Sequence, residues 1–123
     1  DTQSTIKICD GIYIGDESSS RVYLTLHRMN THIPAHITLI VNLTDLPNYY
    51  EHYDIRYITQ QWPLEEFWDV IKGIEGVREE GQSALIHGGR NLDQPVTVVT
   101  VYLMNRYAMR YKERFRWSLF KTI

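Results

Sequence analysis

One run of residues constrains this chain more than any other. Ile37-Thr38-Leu39-Ile40-Val41-Asn42-Leu43 is almost unbroken apolar and rich in β-branched side chains. A surface strand alternates apolar with polar residues. A continuous apolar run of this length is what a strand covered on both faces requires, as in the middle of a parallel sheet. Ser83-Ala84-Leu85-Ile86-His87 is a second such run, bounded by Gly81 and by Gly88-Gly89, and reads as another central strand. Parallel strands need crossovers, so helices are expected between them.

The rest of the chain supplies those pieces. Ile6-Lys7-Ile8 and Gly11-Ile12-Tyr13-Ile14-Gly15 read as a short strand pair, and Ile55-Arg56-Tyr57-Ile58 as a further strand. Ser18-Ser19-Ser20 can cap a helix in which Val22, Tyr23, Leu26 and Met29 recur at helical spacing. Asp45-Leu46-Pro47-Asn48 is a loop. Pro63 is placed to open a helix with Leu64, Phe67, Trp68, Ile71, Ile74 and Val77 on its apolar side. Glu65, Glu66, Asp69, Glu75, Glu79 and Glu80 lie on its outer side. Pro95 stands where another helix begins, continued by Val98, Val99, Val101, Tyr102 and Leu103, and a further arginine- and aromatic-rich helix is expected from about Arg110. The fold class is therefore α/β: a central, mostly parallel, twisted sheet of about 4–5 strands flanked by helices. At 123 residues, the chain is one domain, residues 1–123, with no internal repeat or linker.

Composition narrows the classes. With 43% hydrophobic and 23% charged residues the chain is no disordered segment, and no apolar run approaches the roughly 20 residues of a membrane helix. No secretory leader is apparent, and the expected setting is intracellular, in the cytoplasm. The single cysteine, Cys9, excludes a disulfide framework and a cysteine-rich zinc site, and reads as a structural thiol. His32 and His36 are four apart, but Pro34 between them opposes a regular helix and no third ligand is evident, so no metal or other cofactor is expected. Asn42-Leu43-Thr44 fits a glycosylation sequon, yet it ends a buried strand and is set aside.

The net charge of −2 conceals an asymmetry. Residues 106–121 carry six basic groups and one acid, Glu113, for +5; residues before them carry seven basic groups against fourteen acids, for −7. Arg106, Arg110, Tyr111, Arg114, Phe115, Arg116 and Trp117 mark this block as the candidate partner-binding surface. Arginine beside aromatics suits a protein interface, and it also suits RNA phosphates and bases. The third alternative is internal: aromatics on the sheet, arginines paired with the acidic helix of residues 65–80.

The stretch His87-Gly88-Gly89-Arg90-Asn91-Leu92-Asp93-Gln94-Pro95 joins a strand to a helix start. Backbone N–H groups and the positive end of a helix dipole converge in such a loop, which makes it an anion cradle.

At this point the sequence resembles the dual-specificity phosphatases, within the cysteine-dependent protein phosphatases. That family carries a strand, then His-Cys-x-x-Gly-x-Ser-Arg-Ser, then a helix of the type x-Thr-Val-Val-x-Ala-Tyr-Leu-Met. Here His87 and Thr97-Val98-Val99-Thr100-Val101-Tyr102-Leu103-Met104 stand in the same register. Asp10-Gly11-Ile12-Tyr13-Ile14-Gly15-Asp16 resembles the family's opening strand, and Ile40-Val41-Asn42-Leu43-Thr44 its buried second strand. The resemblance implies a protein-tyrosine-phosphatase-like domain, shortened at its C-terminus.

The departures fall on the chemistry. In register, the nucleophilic cysteine is Gly88, the loop glycine Asn91, the serine Asp93, the phosphate-binding arginine Gln94 and the last serine Pro95. The chemistry needs a low-pKa thiolate and a bidentate guanidinium, and at those two positions the resemblance sets Gly88 and Gln94 instead. Asp93 adds a carboxylate; at ~4 Å and an effective dielectric of about 20, a like-charge contact costs about 4 kcal/mol. The family's acid loop is matched by Trp62-Pro63-Leu64-Glu65-Glu66, where Glu65 and Glu66 read as helix first-turn charges. Asp93 reads as a cap of the following helix, Arg90 as a solvated loop arginine or a partner of Asp93, and His87 as a hydrogen-bonded core histidine. The resemblance thus implies a pseudophosphatase with no catalytic residues and no small-molecule substrate. Its expected role is protein binding, scaffolding or structure, with an active phosphatase, a kinase, a phosphoprotein or a larger assembly as partner. The alternatives are a non-hydrolysing binder of phosphorylated residues through the Gly88–Gln94 loop, and an RNA-associated subunit using the basic C-terminal helix.

Overall fold

The computed structural model describes residues 5–20, 36–51 and 55–122, with side chains for 5–18, 36–51 and 55–110. Five strands form one sheet: β1 (Thr5–Cys9), β2 (Ile12–Gly15), β3 (Ile37–Asn42), β4 (Arg56–Thr59) and β5 (Ser83–His87), in the order β1-β2-β5-β3-β4. Only β1 and β2 are antiparallel; the other pairs run parallel. Among the described residues the α-helices are α1 (Trp68–Glu79) and α2 (Asp93–Thr122). The helix expected after Ser20, with His32, lies outside the described residues.

The continuous apolar runs do occupy the two-faced centre. Leu39, Val41, Ala84 and Ile86 point to one side, where Val70, Ile74 and Val77 of α1 and Val98, Val99 and Tyr102 of α2 cover them. Ile37, Ile40 and Leu85 point to the other and pack with Tyr13, Tyr50 and Ile55. The period-2 alternation of strand side chains divides the runs between two cores from Leu39 onward, while a register irregularity between Ile37 and Leu39 sends Ile37 to the side of Ile40. Between β1 and β2, Asp10-Gly11 forms the turn; Gly11 has φ +90, and a Cβ there would stand 2.7 Å from Cγ of Arg78.

Two helix boundaries differ from the sequence expectation. α1 starts at Trp68 rather than at Pro63, because the chain first stays on the sheet: Gln60 N–H donates to the Asn42 carbonyl at 3.1 Å and Trp62 N–H to the Leu43 carbonyl at 3.0 Å. Trp68 is accordingly not a core residue but 55% exposed, while Val70 and Gly73 join Ile74 and Val77 in the buried stripe. The two helices expected from Pro95 and from Arg110 are one continuous helix, α2, of 30 residues and about 45 Å. Nothing between Asn105 and Lys112 breaks it: the segment has no glycine or proline, and Ala108, Met109 and Arg110 are strong helix formers.

Candidate functional site

In an open parallel sheet, ligand sites form beyond the carboxyl ends of the strands. Here Gly15, His87, Asn42 and Thr59 stand in one row at those ends. The loop Gly88–Leu92 rises from that row and leads into α2. Its backbone is tied to neighbouring strands: Gly88 N–H donates to the Gly15 carbonyl at 3.2 Å, Glu17 N–H to the Gly89 carbonyl at 2.7 Å, and Leu43 N–H to the His87 carbonyl at 3.1 Å.

Gly88 is buried beneath the start of α2. A Cβ on it would stand 2.9 Å from Cδ and 3.3 Å from Cγ of Pro95, and 3.3 Å from Oε1 of Gln94. Position 88 is thus closed over by a proline ring and a carboxamide. His87 is wholly buried, its Nδ1 3.4 Å from the Gly88 carbonyl oxygen, and its Nε2 has no partner among the described residues. It is a core histidine, as expected, but with one weak contact in place of a full set of hydrogen bonds. Burial holds its pKa below the usual 6.5.

The helix cap also differs from expectation. Oδ1 of Asn91, not the Asp93 carboxylate, accepts the Asp93 N–H at 3.0 Å, and Val96 N–H donates to the Leu92 carbonyl at 2.9 Å as the first helical bond. The short carboxamide of Asn91 reaches two residues ahead to make this bond. Asp93, Arg90 and Asn91 are exposed, and Arg90 makes no ion pair with Asp93. Among the described residues, the N–H groups of Gly89, Arg90 and Asn91 have no acceptor.

Glu65 and Glu66 are exposed and precede α1 instead of lying in its first turn. The Glu66 carboxylate accepts the Trp68 N–H at 3.0 Å, satisfying one free donor of the first turn of α1, whose N-cap residue Phe67 makes no side-chain bond. Cys9 ends β1 near the start of β5, at the opposite end of the sheet from Gly88, and is half-buried against the core. Asn42 is fully buried and bonded four ways: Nδ2 donates to the Leu46 carbonyl and to Oδ1 of Asn48, each at 2.9 Å, while Oδ1 accepts the Thr44 N–H at 2.9 Å and the Thr44 hydroxyl at 2.6 Å. That network occupies the sequon's carboxamide. No cluster of metal-ligating side chains occurs among the described residues.

Sequence reasoning missed a second polar centre, between the helices. The Tyr102 hydroxyl donates to Oε1 of Glu75 at 2.6 Å and accepts from Nη1 of Arg78 at 2.9 Å. Arg78 Nε donates to the Asp10 carbonyl at 3.0 Å, and Arg106 pairs with the other oxygen of Glu75. Arg106, a candidate for partner binding, is instead paired internally with Glu75, as the third alternative had it. Arg110 is exposed and unpaired among the described residues, while the side chains of Tyr111, Arg114, Phe115, Arg116 and Trp117 lie outside them.

No family model and no curated protein sequence matches this chain. Solved structures do. DUSP15 superposes with a TM-score of 0.66 at 24% identity, over 81% of this chain and 64% of its own. The human tyrosine phosphatase-like serine/threonine/tyrosine-interacting protein gives 0.66 at 23%, over 90% of this chain and 79% of its own. The chain has the dual-specificity phosphatase fold. It spans under two thirds of the DUSP15 chain.

Proposed function

We propose that this is a catalytically inactive phosphatase-fold domain acting as a protein-binding or scaffolding subunit within the cell. The observation that carries the reading is the packing of Gly88: a residue with no side chain, in register with the nucleophile and 2.9 Å from the Pro95 ring at its absent Cβ. Thiolate attack on phosphorus needs a sulfur at this point and a cation facing it. Gln94, in the arginine's register, is uncharged and turned against Gly88. The fold shared with a human protein described as interacting and as phosphatase-like is compatible with a role in binding.

The test is turnover of phosphotyrosine, phosphothreonine and phosphoinositide substrates. None is expected, and hydrolysis lost on substituting Arg90 or Asp93 would overturn the reading. The acceptor-free N–H groups of Gly89, Arg90 and Asn91 support a second reading, a binder that holds a phosphorylated residue without cleaving it. Asp93 opposes it electrostatically. Titration with a phosphotyrosine peptide separates the two, since saturable binding strengthened by Asp93→Asn would favour the second.

A further inference from the structure

The sheet ends on β4, whose outer side is open. Gln60 N–H donates to the Asn42 carbonyl at 3.1 Å, which fixes the parity of the strand: Arg56, Ile58 and Gln60 turn their backbone groups inward to β3. Tyr57 and Thr59 therefore direct both N–H and C=O away from the sheet, and among the described residues those groups have no hydrogen-bond partner. Arg56 and Thr59 are exposed, Tyr57 and Ile58 half-buried. An uncovered edge of this kind is a template for another strand.

The groove along that edge shows which strand fits it. Arg56, Ile58 and Gln60 line it from β4, and Asp69, Lys72 and Gly73 from α1. α1 runs against the strands, because it crosses back from β4 to β5 in the same parallel part of the sheet. Asp69 thus stands toward the Gln60 end of the groove. Arg56 stands at the other end, its Nη2 3.9 Å from the point where a Cβ of Gly73 would be, about one helical turn along from Asp69. Arg56 and Asp69 make no ion pair among the described residues, and Lys72 is drawn onto the Trp68 ring, 5.8 Å from its centroid. A groove that is acidic at one end and basic at the other matches itself when turned end over end.

We propose that a second copy of this chain adds its own β4 to this edge, antiparallel, about a two-fold axis through Ile58. Backbone parity sets that register. Tyr57 of each copy faces Thr59 of the other as a hydrogen-bonded pair, so every outward N–H and C=O of the two strands is satisfied. Ile58 meets Ile58 across the axis as the closer, non-hydrogen-bonded pair, and each Tyr57 ring gains a β-branched neighbour. The axis is normal to the sheet, so both α1 helices stay on one face and Arg56 of each copy comes to the Asp69 end of the other. A parallel pairing would set Arg56 beside Arg56. The contact is isologous and closed. It involves neither Gly88 nor its loop, and it stands whether or not the domain is catalytic.

Sedimentation velocity from low to high micromolar concentration, with amide hydrogen exchange on the same samples, tests it. The expected result is a monomer–dimer equilibrium in which the Tyr57 and Thr59 amides gain protection as concentration rises. Thr59→Pro removes an outward N–H that the monomer does not use, and should abolish the dimer. Arg56→Glu and Asp69→Arg should each weaken it about tenfold, since each sets like charges together at both ends of the contact. Mixing those two variants should restore pairing, because both ends of the mixed dimer then join opposite charges. A monomer at every concentration overturns the proposal, as does a dimer that leaves the Tyr57 and Thr59 amides unprotected or single variants that the mixture does not rescue. Protection that appears only when cell extract is added overturns it too, and gives the edge to a partner's strand. Phosphatase turnover bears on the inactive reading alone, so the two can fail separately.

Discussion

The ring of Pro95 covers Gly88, its Cδ 2.9 Å from the point where a Cβ at position 88 would stand. Both residues are buried, one at the end of a central strand and the other in the first turn of α2. The contact ties the absence of a side chain at position 88 to the way the helix packs on the sheet. Gly88→Cys is therefore expected to destabilise by about 1–3 kcal/mol, as overpacking does, instead of recreating a thiolate site. Pro95→Ser in the same chain should return part of that loss. Urea unfolding of the single and double variants measures both effects.

His87 predicts a pH dependence. Its folded-state pKa lies below 6.5 because burial disfavours the imidazolium, so the unfolded chain takes up a proton first as pH falls. Stability should decline from about pH 6.5 downward, levelling once the pH passes below the folded-state value. His87→Gln should flatten this part of the profile. Thermal melts of both proteins between neutral and mildly acidic pH isolate the histidine from the carboxylates they share.

Tyr102→Phe removes a hydroxyl that donates to Glu75 and accepts from Arg78, and leaves the ring in the core. A cost of about 1–2 kcal/mol is expected, since both partners are charged but only half-buried. The melting temperature should fall by roughly 3–8 °C, which calorimetry would detect.

Asn42→Ala should cost more, about 2–4 kcal/mol. It strips four hydrogen bonds at a fully buried site and leaves the Thr44 N–H and the Leu46 carbonyl without their partner. Chemical denaturation gives the stability, and loosening of residues 43–48 should appear as faster amide hydrogen exchange there.

Much of this protein is legible in order along the chain. The unbroken run Ile37–Leu43 could only be a strand covered on both faces, and Ser83–His87 between glycines repeats the pattern. Period-2 alternation then assigns Leu39, Ile40 and Val41 to their cores, whereas the irregularity between Ile37 and Leu39, which sends Ile37 to the other side, was not legible. The strand, the Gly88-Gly89 loop and the helix start near Pro95 are likewise legible in order. Tertiary structure decided what depends on neighbours distant in sequence. α1 is delayed to Trp68 because Gln60 and Trp62 first hydrogen-bond to the end of β3. Glu75, Arg78, Tyr102 and Arg106 converge only because α1 and α2 lie on the same face. That position 88 has no space for a side chain, rather than merely lacking one, follows from the Pro95 ring seven residues on, brought back over it by the first turn of α2. Local propensity and periodicity are properties of adjacent residues; close packing is a property of residues the fold brings together, and it is there that the sequence by itself was silent.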